Sequence, residues 1–519
     1  MMRGMDLLHT TTLADVLREH GRSWPNKTAL VCADERYSYA EFDQRVSRLA
    51  NALRERGVGT GDRVLWLGQN CHMILEGLLA AAKLGASFCP ANWRQSPDEF
   101  AYVLEDLDPA VVLWQADEIG EPIIKAREST ESKALWIGCD DPAVQHGDPS
   151  YADILSSGAT ADLDLDVDPA SPVLTMYTAA FSGRPQAAQL SHLGLMFQNL
   201  NIAIIQQVTP EDVYLNCGPL FHIATLMTTM ATFQLAGTNV FTKRADAEEI
   251  CRLTDAEKVT GAFILPQVVK RIVEVNKDRR YDLSSLQTMS MGNKEFAEMI
   301  SSRVTYWMRK PGGYGQTEVN GLLTFSAFGD GPMSPGRPTA GMQVRIVDED
   351  GNELASGEVG EIVARGPQAM VGYFGKAEEN TRRQRGGWHH TNDLGRREPD
   401  GTISFVGPKT ELIKTGVENV YPAEVEGALQ KHPAVAEVVV IGVPDPVWDQ
   451  NVKAVVRLHE GQQATAEDLI EHTKSLIASY KKPKEVDFVT AFPRLESGFI
   501  DRDAVKAAHG GGGTPGRGV

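Results

Sequence analysis

The 519-residue chain has few cysteines, and no two of them stand close together. Cys32, Cys71, Cys89, Cys139, Cys217 and Cys251 form no C-x-x-C pair, so neither a zinc ribbon nor a disulfide framework is written here. Reduced, mostly buried thiols are expected. Long apolar runs are missing too: the most apolar stretch, Met73 to Ala86, is broken by Glu76 and Lys83, and the N-terminus carries no sustained apolar segment. This disfavours a membrane span and a secretory leader, and a cytoplasmic protein is expected. Positive charge is in deficit, with 51 basic against 69 acidic side chains, or 51 − 69 = −18. Such a surface repels polyanions, so neither nucleic acid nor an anionic membrane is expected as a partner. The segment 480-YKKPK-484 is a local exception, read either as a basic rim for a small anionic ligand or as a solvated lysine face. No fixed-period repeat is visible.

What is present describes a large globular protein. The length exceeds what one compact core fills, and 42% apolar with 23% charged residues is ordinary globular composition. Phe42, Val46, Leu49 and Leu53 fall at helical spacing in 40–57, with Gly57 as a natural stop. The run 63-RVLWL-67 reads as a buried strand and the stretch from Met73 as a helix. This alternation continues to about residue 300 and predicts helix-covered, mainly parallel sheets. From about 340 the texture turns β-rich: 343-QVRIVDEDG-351 reads as a strand entering an Asp-Gly turn, with 360-GEIVARG-366 as its partner and 401-GTISFVG-407 following. A β-α-β pattern returns with 435–443, 452–459, a helix capped by Thr465, and 485–490. The predicted fold is α/β, with a large N-terminal domain (1–407) that includes a β-rich subdomain. A small α+β C-terminal domain (408–505) and a flexible Gly-rich tail (506–519) follow.

Five segments carry the chemistry, in this order: 219-PLFH-222, 313-GYGQTE-318, 388-WHHTND-393, 411-ELIKTGVENVYPAEVE-426 and 493-PRLESG-498. Together they resemble the adenylate-forming superfamily of acyl-CoA synthetases, nonribosomal adenylation domains and beetle luciferases. That family makes an acyl-adenylate from a carboxylate and Mg·ATP, then lets a thiol attack it, with the C-terminal domain rotating between the two steps.

Against the family pattern, two parts of the first half-reaction are missing. The triphosphate loop, Y-T-S-G-T-T-G-x-P-K-G in the family, reads 177-YTAAFSGRPQAA-188. Ala179, Ala180 and Phe181 stand where small, hydroxyl-bearing and glycine residues would wrap phosphate with backbone N–H groups. Gln186 and Ala187 replace the lysine and the last glycine, and Arg184 occupies a variable position. The final motif P-x-x-x-x-G-K ends here in Gly498-Phe499, without the lysine that neutralises charge developing at the α-phosphate. Removing one preorganised donor costs about two to three orders of magnitude in rate.

The remaining motifs are kept. The resemblance implies that Tyr314 lies against adenine, Thr317 bonds the adenylate phosphate, and Asp393 accepts the ribose hydroxyls. Gly292, Asn293, Gly313 and Gly315 complete the adenylate-binding set. Asn392 replaces a family glycine, Pro408 the ribose-contacting arginine, and Thr410 the hinge residue. Glu318 matches the Mg²⁺-holding position, although a structural hydrogen bond explains it equally well. His222 matches the histidine beside the acyl carbonyl, with Ile223, Ala224, Thr225 and Met227 lining an acyl pocket. Lys414, Gly416, Val417 and Glu418 match the loop that lines the pantetheine tunnel, and Lys414 joins His222 as a catalytic residue.

This pattern of loss and retention is similar to the non-adenylating acyl-CoA ligases of platensimycin- and platencin-type diterpenoid antibiotic biosynthesis. It implies conversion of acyl-AMP and coenzyme A to acyl-CoA and AMP, with a separate adenylating enzyme as partner and no Mg²⁺ requirement; an oligomer is compatible. Three alternatives stay open: a complete ATP-dependent synthetase with rerouted cations, a catalytically silent acyl-adenylate-binding protein, and a thiol acceptor other than CoA.

Overall fold

The computed structural model describes residues 6–178, 184–287, 294–300, 312–326, 336–408, 413–415, 418–420, 422–494 and 500–511. The helix expected in 40–57 runs Tyr39–Glu55. It opens on a capping box in which Ser38 accepts from the Glu41 backbone and Glu41 reaches back, and Gly57 follows at φ 91°. It packs on helix Met73–Leu84, which is buried on every side yet carries two charges. Glu76 is met by Arg45 at 2.5 Å and the Tyr151 hydroxyl at 2.6 Å, and Lys83 by Asp43 at 2.9 Å and Asp162 at 2.5 Å. Pairing is what lets these charges lie in the core. No described helix is long and apolar enough to cross a membrane.

Two sheets form the frame of the N-terminal domain. One has seven strands in the order Gly372–Tyr373, Gln186–Ser191, Pro172–Thr178, Ser87–Pro90, Arg63–Leu67, Val111–Trp114, Leu135–Gly138, parallel from Pro172–Thr178 onward. The other runs Gly261–Ala262, Val213–Asn216, Thr238–Phe241, Thr28–Cys32, Glu35–Ser38, parallel except for its last pair. The expected texture change near 340 is a four-stranded antiparallel sheet, in which Gln343–Val347 pairs with Val359–Arg365, then His389–Arg397 and Ile403–Pro408. The turn after Val347 closes through Gly351 N–H to Asp348 O at 3.2 Å. Beside it, Gly312–Gln316 and Gly321–Ser326 form a tight hairpin; a Cβ on Gly315 would lie 1.8 Å from the Gly321 carbonyl oxygen, so only glycine fits.

The C-terminal sheet has Val435–Asp445 antiparallel to Asp449–Leu458, which pairs in parallel with Glu485–Phe488 through the Thr465-capped helix Ala466–Leu476. The tail begins later than the sequence suggests. Residues Arg502–Ala508 are helical because Val505 packs into a cluster with Val439, Ile441, Val455 and Phe492. Of the six cysteines, all are free and all but Cys32 are buried.

Candidate active site

The two domains meet over a short stretch, 92-NWRQSPDE-99, that leads into helix Pro97–Leu107. Ser96 caps that helix, and its hydroxyl also donates to Leu476 O of the C-terminal domain at 3.1 Å. The Asn92 amide reaches the Tyr480 hydroxyl at 3.4 Å. Lys481 is buried between Glu99 at 2.8 Å and Glu424 at 2.6 Å, joining the domains through charge. The lysine run therefore forms no phosphate rim at Lys481, and no solvated face there either. Lys482 folds back onto Ser479, and Lys484 lies over the Trp448 ring. Arg502 is held by Glu426 at 2.7 Å, which commits it within the C-terminal domain.

This docking places the hairpin of Ile413–Thr415 and Glu418–Val420 against the N-terminal domain. Glu418 forms an ion pair with Arg94 and lies 3.3 Å from His222 Nε2. The latter geometry is ion-pair proximity, at an angle outside a formed hydrogen bond, with Nε2 closed to solvent. Burial alone would raise the Glu418 carboxyl, but His222 and the Arg94 guanidinium outweigh it and hold the group down at about 2. Arg94 itself lies over the Phe221 and Tyr480 rings. His222 ends the 219–222 turn, which Asn70 pins by donating to Gly218 O at 2.7 Å and accepting from Leu220 N–H at 3.2 Å.

The second centre is built on the two hairpins of the β-rich subdomain. The Tyr314 hydroxyl donates to Asp393 Oδ2 at 2.7 Å, and the ring stacks on Phe405 with centroids 5.3 Å apart. Gln316 Nε2 contacts the Tyr314 hydroxyl at 3.0 Å and Asp393 Oδ2 at 3.2 Å, while its oxygen meets His389 Nε2 at 3.3 Å. Burial pushes Asp393 up to about 6 against the lowering effect of the Tyr314 hydrogen bond and of the nearby Lys414 charge. Burial likewise lowers Lys414, partly offset by Asp393. The bend before Asp393 is made by Asn392 at φ 64°, the left-handed conformation that asparagine tolerates in place of glycine. Thr317 and Glu318 form the next turn, where Glu318 Oε1 accepts from the Tyr373 hydroxyl at 2.7 Å. Glu318 is 4% exposed with that bond made, the structural hydrogen bond that its position also allows.

The expected residues fall into two centres, one at His222 and Glu418 and one at Tyr314 and Asp393, with Lys414 near enough to Asp393 for their charges to interact. Lys414 and Glu418 of the small domain face Asp393 and His222 of the large one. In the acyl set, Ile223 and Met227 share a helix face that meets Gly321. The Thr225 hydroxyl is instead tied back to Pro219 O and His222 O, and Ala224 is exposed. Ala179, Ala180, Phe181, Gly292, Asn293, Gly416, Val417, Thr410, Gly498 and Phe499 lie outside the described residues. Arg94 escaped the sequence reading, since it acts across 324 residues and no local pattern marks it; Gln316 and Lys481 lie in segments that were read, but neither was given its role there.

Residues 17–374 match the model of the AMP-binding enzyme family, and 424–498 match the AMP-binding enzyme C-terminal domain. The chain belongs to the AMP-binding enzyme family. As such it is 33% identical over 494 residues to a feruloyl-CoA synthase of Amycolatopsis sp., covering 94% of this chain and 97% of that one. It is 31% identical over 504 residues to an indoleacetate–CoA ligase of Aromatoleum aromaticum, covering 95% and 97%. Its fold matches o-succinylbenzoate CoA synthetase of Bacillus subtilis, solved as a double mutant with a product analogue, at TM-score 0.76 and 23% identity over 95% and 98% of the chains. The AMP-binding enzyme thus has the large and small domains that its sequence predicts.

Proposed function

We propose that this AMP-binding enzyme is an acyl-CoA ligase that performs the thioester-forming half-reaction from a preformed acyl-adenylate. The observation that carries the reading is an asymmetry. Groups for adenylate and thiol handling converge, with Lys414 and Glu418 brought to Asp393 and His222. The cations that adenylation needs are missing from the sequence at Gln186 and Phe499.

The half-reaction asks little of the protein. The CoA thiol gives up its proton to solvent, the sulfur–carbon bond forms, the acyl carbon–oxygen bond to phosphate breaks, and AMP leaves with the electron pair. Orienting the thiol against an already activated acyl group supplies much of the rate. Asp393 would hold the ribose diol, Tyr314 the base, His222 the acyl carbonyl region, and the 413–420 hairpin one wall of the thiol's approach. No triphosphate takes part, so Mg²⁺ has no pyrophosphate leaving group to neutralise. A separate adenylating enzyme would supply the acyl-AMP, in the manner of the diterpenoid antibiotic pathways whose ligases this pattern resembles.

The related CoA ligases keep the competing reading alive, a complete synthetase that uses ATP. One sample separates the two. Given acid, ATP, Mg²⁺ and CoA, the protein should form no thioester above background; given acyl-AMP and CoA, it should release acyl-CoA and AMP. Efficient thioester formation from acid and ATP would establish the complete synthetase instead. Inertness towards acyl-AMP and CoA would leave a binding protein.

A further inference from the structure

Gln198 is fully buried on helix His192–Gln206, in a set of side-chain amides whose orientations are fixed by backbone groups. The chain of reasoning starts at Ala340, whose backbone N–H can only donate; it donates to Asn201 Oδ1 at 3.1 Å. Asn201 must then present its nitrogen to Gln368 Oε1, 2.8 Å away. That oxygen also accepts from the Thr339 hydroxyl at 3.0 Å. Gln368 in turn presents its nitrogen to the Leu322 carbonyl at 3.0 Å and to Gln198 Oε1. Each amide is thus locked by the one before it, and Gln198 has no choice of rotamer flip. Its oxygen is spent on Gln368, and its NH2 is turned the other way.

What that NH2 meets is a poor acceptor. Among the described residues, its hydrogen-bond partner is the Met227 thioether sulfur at 3.7 Å. A buried amide with two donor hydrogens facing a sulfur is under-satisfied, and leaving such a group without a good acceptor is costly. The position explains why the cost is tolerated. A Cβ on Gly321 would lie 3.0 Å from Gln198 Nε2, 3.3 Å from Met227 Sδ and 3.6 Å from Ile223 Cγ1, so these three groups converge on one point. Ile223 and Met227 are the face of the helix that starts directly after His222.

We propose that Gln198 is a specificity-determining residue that donates a hydrogen bond to a neutral oxygen on the body of the acyl group. The substrate class is then a carboxylic acid carrying a hydroxyl, ether or ketone oxygen in its interior, rather than a plain hydrocarbon acid. A second carboxylate is disfavoured, because the fixing network is made of amides, a hydroxyl and backbone carbonyls, with no cation to balance a buried charge. The inference rests on placing the acyl group beside His222, and it is independent of which half-reaction the protein performs.

Equilibrium binding of unreactive acyl-sulfamoyl adenosines tests it without turnover. The probes are matched sets on an aryl and on a polycyclic terpenoid acyl group, with a single hydroxyl or ketone moved along each skeleton and the deoxy compound as reference. At least one oxygenated member should bind the wild-type protein roughly tenfold more tightly than its deoxy counterpart, the scale of one well-formed neutral hydrogen bond. Gln198→Met, close in shape and without a donor, should erase that ratio while leaving the affinity of the deoxy compound and of AMP unchanged. AMP affinity and the thermal midpoint report that the variant is folded, and the wild-type ratio stands as evidence by itself. Equal binding of every pair by the wild type would overturn the proposal, as would a Gln198→Met variant that weakens both members alike. Thioester formation is not part of the readout, so failure of the half-reaction reading registers separately.

Discussion

The Tyr314 hydroxyl and the Asp393 carboxylate are joined by a 2.7 Å hydrogen bond that links the two hairpins of the β-rich subdomain. In the proposed function Tyr314 would thereby do more than offer a ring to a base. It spends its proton on the oxygen acceptor that would grip the ribose, and so influences the pH at which that acceptor is ionised.

Nucleotide binding should follow the ionisation of Asp393. Burial raises this group to about 6, so the affinity for AMP should fall as the pH drops through 6, where the carboxylate becomes protonated and loses its capacity to accept from both hydroxyls. Tyr314→Phe removes a bond that favours the ionised form, and the acid limb should move to higher pH. Asp393→Ala should weaken adenylate binding by about 1.5–3 kcal/mol at neutral pH, measured by calorimetry. An unchanged affinity would remove Asp393 from the site.

Glu418 should stabilise the docked hairpin in a defined pH window. Its carboxyl titrates at about 2 in the fold against an ordinary value of 4.5. The contribution is therefore complete above about 4.5 and lost as the pH falls through about 2. Glu418→Gln should remove that part of the acid dependence and slow thioester formation at saturating acyl-AMP, while AMP affinity stays at the wild-type value. Acid unfolding curves of the two proteins that superimpose would contradict this.

Lys481 holds the domains together. Lys481→Met leaves Glu99 and Glu424 facing each other without their cation, and breaking a buried pair in this way costs about 3–5 kcal/mol. The expected outcome is earlier unfolding of the C-terminal domain in differential scanning calorimetry and faster proteolysis between the domains. Adding Glu99→Gln and Glu424→Gln to the same protein should recover most of the loss, because the uncompensated charges go too.

Restoring one cation should not restore adenylation. Phe499→Lys supplies the missing terminal lysine but leaves 179-AAFS-182 without the pattern that wraps a triphosphate. Groups that act as one unit do not contribute independently. Acid- and ATP-dependent thioester formation should therefore remain at background in this variant, as read by pyrophosphate release.

Elements with a strong local signal could be read from the sequence. The 3.6-residue period of Phe42, Val46, Leu49 and Leu53, with Gly57 behind, places a helix whose observed bounds are Tyr39–Glu55. The strand pair on either side of Gly351 is equally explicit. The site was legible only where ordered motifs carried it. Arg94 reaches Glu418 across 324 residues and Lys481 reaches Glu99 across 382, so both pairs exist only once the domains dock. The lysine run shows how composition misleads: Lys481 looks like surface charge in the sequence, yet two carboxylates from different domains bury it. The later start of the tail has the same origin, since Val505 finds its apolar partners only in the folded sheet.

The bend at Asn392 acts as a filter on which sequences can keep the proposed nucleotide grip. At φ 64° a β-branched or bulky side chain is strained, and the Asn392 N–H also donates to Glu361 Oε1 at 3.1 Å, which rules out proline. In a saturation library selected for AMP retention, position 392 should return glycine, asparagine and little beyond aspartate. Neighbouring Asp393 should return itself alone. Two adjacent codons would thus differ in tolerance for separate reasons, the first for backbone shape and the second for charge.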